Sequence, residues 1–206
     1  FDTNEAEANY PYRYYAGYTY DAGIYVLALY ALATQAEKEE RFAEAQAYRQ
    51  EIAKILGPFT TISDREFYQQ EPNYEPVGGA FHSVRVLARN IDRWWEKWDW
   101  GVFVGPIAWL GMAALIVDEK KYLPLATYLG DWLIGDSPGM SRKLQDEDGG
   151  FRMGPYGQYH TDGNDFFFNA KSNENNQSAV AFLYKLYAAT KDLKYKQATG
   201  RAAAWL

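Results

Sequence analysis

KSNENNQSAVAFLYKLYAATKDLKYKQATGRAAAWL, residues Lys171 to Leu206, is a polar cap, an apolar helix, a short charged turn and a second helix. Ser172 is a good N-cap, because its side-chain oxygen can accept a hydrogen bond from a free N–H of the first turn. Ala179, Phe182, Leu183, Leu186 and Tyr187 recur at helical spacing and predict a buried stripe. Earlier parts of the chain repeat this pattern. Aligning Tyr195 with Tyr122, an offset of 73, also sets Lys194 on Lys121, Phe182 on Trp109, Leu183 on Leu110, Trp205 on Trp132 and Leu206 on Leu133. A weaker third copy, with an offset of 80, sets Phe42 on Tyr122 and Ile52 on Trp132, and Asp21 meets Asp99 only after a two-residue insertion. One hairpin cannot bury its own apolar face, so a repeated hairpin predicts stacking on its neighbours.

Working outward, the helices fall into two kinds. Gly23 to Ala33 is apolar all round, which predicts burial on every side, whereas in Glu37 to Leu56 the residues Phe42, Ala45, Tyr48, Ile52 and Ile55 alternate with charged positions and leave one wet face. Gly57-Pro58 is expected to stop that helix. Pro106 to Val117 is again of the inner kind, with Pro in its first turn, and Tyr122 to Ile134 is its outer partner. Ala80 to Trp98 can form a further helix with Val84, Leu87, Ile91 and Trp95 on one face, making seven in all. Tyr10, Tyr12, Tyr14, Tyr18 and Tyr20 alternate and predict an extended segment. Two long loops, 57–80 and 136–171, complete the chain, and a loop of the second one's length in a compact domain usually carries function. The expectation is one all-α domain over 1–206, built of repeated helical hairpins.

Composition narrows the function. The 206 residues carry a net charge of −6, which argues against binding a phosphate backbone, so nucleic acid is not an expected partner. With 18 Tyr, 11 Phe and 7 Trp the chain is rich in aromatics that can stack on sugar rings. There is no Cys, which removes disulfides, thiolate catalysis and zinc–cysteine sites together. The longest apolar run, Gly23 to Ala33, falls short of the ~20 residues of a membrane span. A chain opening on Phe1 is what a processed or truncated product would show, and high Tyr, Asn and Gly without thiols leans towards the periplasm or the extracellular space.

KSNENN at Lys171 to Asn176, the following AFLYKLYAATKDLKY and the closing AAAWL resemble the α/α-toroid carbohydrate-active proteins, the six-hairpin glycosidases with related sugar epimerases and polysaccharide lyases. The resemblance covers the three hairpins and not the two loops. It implies an α/α toroid or, since a closed ring of six hairpins has twelve helices and seven are found, a partial toroid or a fragment of a larger one. It also implies that the loops entering the inner helices line a sugar-binding cleft. Transferred here, the cleft is bordered by Asp21, by Asp99 to Gly101 and by Ser172 to Asn176.

Glycoside hydrolysis usually needs two carboxyl groups flanking the scissile bond. Asp99 and Glu174 are the preferred pair and Asp21 the third, because all three stand at the entrance to an inner helix; an acidic side chain there is also favoured by the helix dipole without any catalysis. Trp98, Trp100, Tyr20, Asn175, Asn176, Tyr159, His160 and Asp162 are the candidate sugar contacts. The cluster at Tyr159 to Asp165 also suits a Tyr/His pair for proton abstraction in a lyase, or a solvated loop; its oxygens are closely spaced enough for calcium but match no full EF-hand pattern, and no metal is expected. Trp94 and Trp95 cannot both face one side of a helix, Arg85, Arg89 and Arg93 form a basic ridge that reads as a solvated face, and His82 reads as structural. The expected function is a carbohydrate-active enzyme, foremost a glycoside hydrolase acting on an oligo- or polysaccharide without a cofactor. The alternatives are a non-catalytic helical-repeat surface or assembly subunit, for which a homo-oligomer is compatible, and a polysaccharide lyase.

Overall fold

The computed structural model describes residues 16–60, 83–85, 103–135, 143–155 and 166–206. Among these, two three-residue strands, β1 (Ala16–Tyr18) and β2 (Ser83–Arg85), pair antiparallel with Gly17 opposite Val84. Everything else regular is helical: α1 (Thr19–Lys38), α2 (Phe42–Thr60), α3 (Val104–Ile134), the single turn α4 (Phe166–Asn169), α5 (Asn173–Thr190) and α6 (Leu193–Trp205). The protein has the all-α architecture of repeated hairpins, an α/α toroid in part. α1 packs on α2 and α3, and α3 on α5, which in turn carries α6.

α3 is two helices joined without a loop. Asp118 leaves helical geometry at φ −157° and ψ 91°, and its carboxylate accepts a hydrogen bond from Lys121 N at 2.9 Å. It therefore caps the outer segment as it closes the inner one. The third hairpin turns through Lys191 at φ 60°, after which Asp192 caps α6 by accepting from Lys194 N at 3.0 Å. In the first hairpin Glu40, at φ 59°, is the left-handed residue, and Arg41 N donates to Ala36 O at 2.8 Å.

Glycines set how closely the inner helices approach. A methyl group on Gly23 would lie 2.9 Å from the Trp109 backbone, one on Gly105 2.4 Å from the Asn175 side chain, and one on Gly111 2.3 Å from Cζ of Phe182. Gly105 and Gly111 of α3 thus meet Asn175 and Phe182 of α5 in the same order along the chain, so the two helices run in one direction. Their starting ends, with that of α1, lie at one end of the molecule. The core behind them is continuous: Val26, Leu56, Ile107, Leu110, Trp132, Leu133, Phe182, Leu183 and Leu186 are all shut off from solvent.

Several expectations are corrected. Gly23 to Ala33 is not buried all round: Ile24, Tyr25 and Leu32 are 41%, 53% and 49% exposed, because α2 and α3 cover only part of the circumference of α1. Gly57-Pro58 does not end α2, which runs on to Thr60; the buried Phe59 anchors the last turn in the core, and Thr60 Oγ1 donates to the Gly57 carbonyl at 2.7 Å. Phe42 is 65% exposed where its counterpart Tyr122 is buried. Tyr20 lies already in α1 and not in the extended segment, of which only Ala16–Tyr18 is strand. Ser83–Arg85 are strand, so no helix runs through Ala80 to Trp98 unbroken; the remainder of that helix lies outside the described residues.

Candidate functional site

The starts of the three inner helices differ in how they are capped, and the difference frees one carboxylate. In α5, Ser172 is the N-cap, its side chain accepting from Asn175 N at 3.3 Å. Glu174 is therefore not needed as a cap, and it reaches sideways. Its Oε1 accepts a hydrogen bond at 2.9 Å from the hydroxyl of Tyr20, 154 residues earlier in α1. Tyr20 in turn stands edge-on to Trp109 of α3, with ring centroids 6.0 Å apart. One residue from each inner helix thus meets at the mouth.

The electrostatics follow from this contact. The hydrogen bond to Glu174 raises the Tyr20 phenol above the ordinary tyrosine range, since an ionised phenol could no longer donate; partial burial and the negative charges of Glu174 and Asp21 push the same way. The indole N–H of Trp109 is shut off from solvent without a hydrogen-bond partner among the described residues, and it lies near enough to Tyr20 to offset part of that rise. Glu174 is exposed, and its Oε2 has no hydrogen-bond partner among the described residues. Asp21 is exposed in the first turn of α1.

The two asparagines play different parts. Asn175 is nearly buried against Gly105. Asn176 is fully buried and fully used: its Oδ1 accepts from Phe151 N at 2.6 Å, while Nδ2 donates to Phe151 O and to Ser172 O, both at 2.9 Å. Its side-chain amide stitches a loop to the start of α5 and has no donor left for a ligand.

That loop, residues 143–155, is the described part of the second long loop, and it braces the rim. Leu144 and Phe151 are fully buried, Val104 N donates to Met153 O at 3.0 Å, and Met153 N donates to Ala170 O at 2.9 Å. The first of these bonds replaces the side-chain cap that Phe103 cannot provide for α3. Gln145 Nε2 donates to Ala198 O at 2.8 Å and ties the loop to α6. Around it, Lys171 Nζ pairs with Asp146 at 2.9 Å and Asp148 at 2.6 Å, Arg152 pairs with Asp146 at 2.7 Å, and Trp205 Nε1 donates to Asp148 at 3.1 Å. The hydrogen bond from Lys171 holds the Asp146 carboxyl below the usual range against the opposing effect of its burial. This network is structural, and the turn Asp148-Gly149-Gly150 packs under α6: a methyl group on Gly149 would meet the Arg201 carbonyl at 2.4 Å.

Asp99, Trp98, Trp100, Tyr159, His160 and Asp162 lie outside the described residues, as do Asn164, Asp165, His82, Trp94, Trp95, Arg89 and Arg93. Among the sequence candidates, the structure brings together Tyr20 and Glu174, with Asp21 near the phenol. Trp109 was missed as a member of the site. The repeat aligns it with Phe182, while the spatial neighbour that matters, Tyr20, comes from another repeat. Among the described residues no cluster of three or more His, Asp or Glu is arranged to hold a metal ion, and no helix is long and apolar enough to cross a membrane.

Parallel inner helices, outer helices behind them and a shared mouth define the class: an α/α toroid, represented here by part of its ring. Among solved structures, that of a selenomethionine derivative of a GH76 α-mannanase from Bacteroides thetaiotaomicron is similar, with a TM-score of 0.53 over 91% of this chain and 43% of that one, at 15% identity. The chain therefore spans less than half the length of that enzyme. No family model and no curated protein matches the chain.

Proposed function

We propose that the chain is part of a carbohydrate-active enzyme, a glycoside hydrolase whose carboxylates stand at the entrances to the inner helices. The observation that carries this reading is Glu174, an exposed carboxylate at the mouth that is held by Tyr20 and spared from capping its own helix. Asp99 and Asp21 are the candidates for its partner. Stereochemistry would follow from the separation, about 5–5.5 Å between carboxyl groups for retention and about 6.5–9.5 Å for inversion. The toroid similarity to an α-mannanase supports a polysaccharide as substrate and makes α-mannan the first to try. Trp109, whose ring lies at the mouth beside Tyr20, suits an apolar sugar face. A composition high in Tyr, Asn and Gly, with no free thiol, leans towards a periplasmic or extracellular setting.

The test is release of reducing sugar from α-mannan and from a panel of α- and β-linked polysaccharides. Glu174→Gln should abolish it, by roughly a thousand-fold or more if the residue is acid, base or nucleophile, with unfolding temperature unchanged. Retention of wild-type turnover by that variant would remove Glu174 from the chemistry. A non-catalytic assembly subunit is favoured by one observation, the exposed apolar residues Tyr184, Leu32 and Tyr25, and predicts glycan or subunit binding without turnover.

A further inference from the structure

We propose that Tyr20 is the positioning residue of Glu174: its phenol holds one carboxylate oxygen from a neighbouring helix and leaves the other to face the substrate. The proposal rests on the hydrolase reading above and adds to it a role for a specific side chain. A glutamate has three rotatable side-chain bonds, and an exposed one at a helix start samples many rotamers. Glu174 has no bond to its own helix to restrict it, since Ser172 occupies that place. The restraint comes from Tyr20, whose ring is itself fixed by the edge-on contact with Trp109 and by a half-buried position in the first turn of α1. A phenol has only two torsions before its hydroxyl, so a ring packed on one face places its proton accurately.

The geometry assigns the two oxygens different work. Oε1 accepts the Tyr20 proton at 2.9 Å, and Oε2 has no partner among the described residues. A carboxylate that must meet a sugar carbon or a water within about 3–3.5 Å gains from being held on one side, because misplacement by about 1 Å costs on the order of a hundred-fold in rate. Tyr20 does not need to touch the substrate for this. The hydrogen bond to Glu174 is what chiefly raises the phenol, with Asp21 beside it on α1 adding a smaller push the same way, so the donor stays protonated through the neutral range.

The experiment compares wild type, Tyr20→Phe and Glu174→Gln with α-mannan as substrate, alongside thermal unfolding of each. Tyr20→Phe keeps the ring and its contact with Trp109 and removes only the hydroxyl. It should lower kcat about ten- to a hundred-fold while KM and the unfolding temperature stay at the wild-type value, and Glu174→Gln should be inactive. A rise in KM with kcat unchanged would make Tyr20 a sugar contact and overturn the positioning role, leaving the hydrolase reading in place. Wild-type kcat in Tyr20→Phe with an inactive Glu174→Gln would overturn it in the same way. Wild-type kcat in Glu174→Gln, or no turnover by the wild type on any polysaccharide of the panel, would overturn both. A readout independent of turnover checks the contact itself: with 3-fluorotyrosine incorporated, the fluorine resonance missing from Tyr20→Phe identifies Tyr20, and its titration should move to lower pH in Glu174→Gln. A midpoint that does not move would show that the bond is absent in solution.

Discussion

Gly111→Ala tests the close approach on which the mouth depends. The added methyl group would lie 2.3, 2.4 and 2.9 Å from Cζ, Cε2 and Cε1 of Phe182, where ordinary carbon contacts need about 3.5 Å or more. The ring or the helix must therefore move by about 1.2 Å. Phe182 has no room to give: it is fully buried, with Leu183 and Leu186 beside it equally closed off. Overpacking of this kind costs about 1–3 kcal/mol. Alanine is also the better helix former, by about 1 kcal/mol over glycine, which works the other way. The net expectation is a loss of up to about 2 kcal/mol, read as a lower midpoint in urea with tryptophan fluorescence as the probe. Phe182→Leu removes the distal ring carbons, so the double variant should recover part of the loss, with a coupling of about 1 kcal/mol or more between the sites. If Gly111→Ala alone were more stable than wild type by the propensity difference, the inner helices would not stand as close as described, and the shared mouth would lose its basis.

Two further variants probe the rim. Asn176→Ala leaves the Phe151 N–H and C=O buried without their partner, and should cost about 2–4 kcal/mol in urea unfolding, with faster hydrogen exchange at the Phe151 amide. The Asp146 carboxyl is held below its ordinary value by Lys171, so its contribution is complete above the unfolded-state pKa near 3.8 and is lost as pH falls through the lower folded value. The stability difference between wild type and Asp146→Asn should therefore be full at pH 5 and shrink towards pH 2, as followed by unfolding at each pH; a difference constant over that range would remove the ion network from the account.

How much was legible in the sequence differs between fold and site. The offset of 73 is borne out by burial where the two repeats have comparable neighbours: Leu110 and Leu183 are both fully buried, and Tyr122 and Tyr195 are 3% and 1% exposed. It fails where the neighbours differ, as at Phe182, which is fully buried, and its counterpart Trp109, which is only half-buried beside Tyr20. The same holds for Phe42 against Tyr122. Periodicity reports which residues can share a face, whereas the cover of that face comes from other elements. The rim was less legible still. Asp148-Gly149-Gly150-Phe151 falls within the long loop expected over 136–171, yet it is wedged beneath α6, with Phe151 in the core and a methyl group on Gly150 2.7 Å from the Trp205 ring. The partner of Glu174 is 154 positions away, and no local pattern links them.

Acidic residues at helix starts have two explanations that look alike in one dimension, and three helix starts in this structure separate them. Asp118 and Asp192 each accept from a backbone N–H of the helix they begin, at 2.9 and 3.0 Å, and both begin outer segments away from the mouth. One oxygen of each carboxylate is committed to capping. Glu174 begins an inner helix whose cap is a serine, and its carboxylate is bonded to a different helix altogether. The same physical preference for negative charge at a helix N-terminus acts on all three. Of the three, only Glu174 is bonded to another helix and not to the backbone of its own. In the second and third hairpins an acid caps the outer segment, and at the start of α5 a serine hydroxyl caps instead.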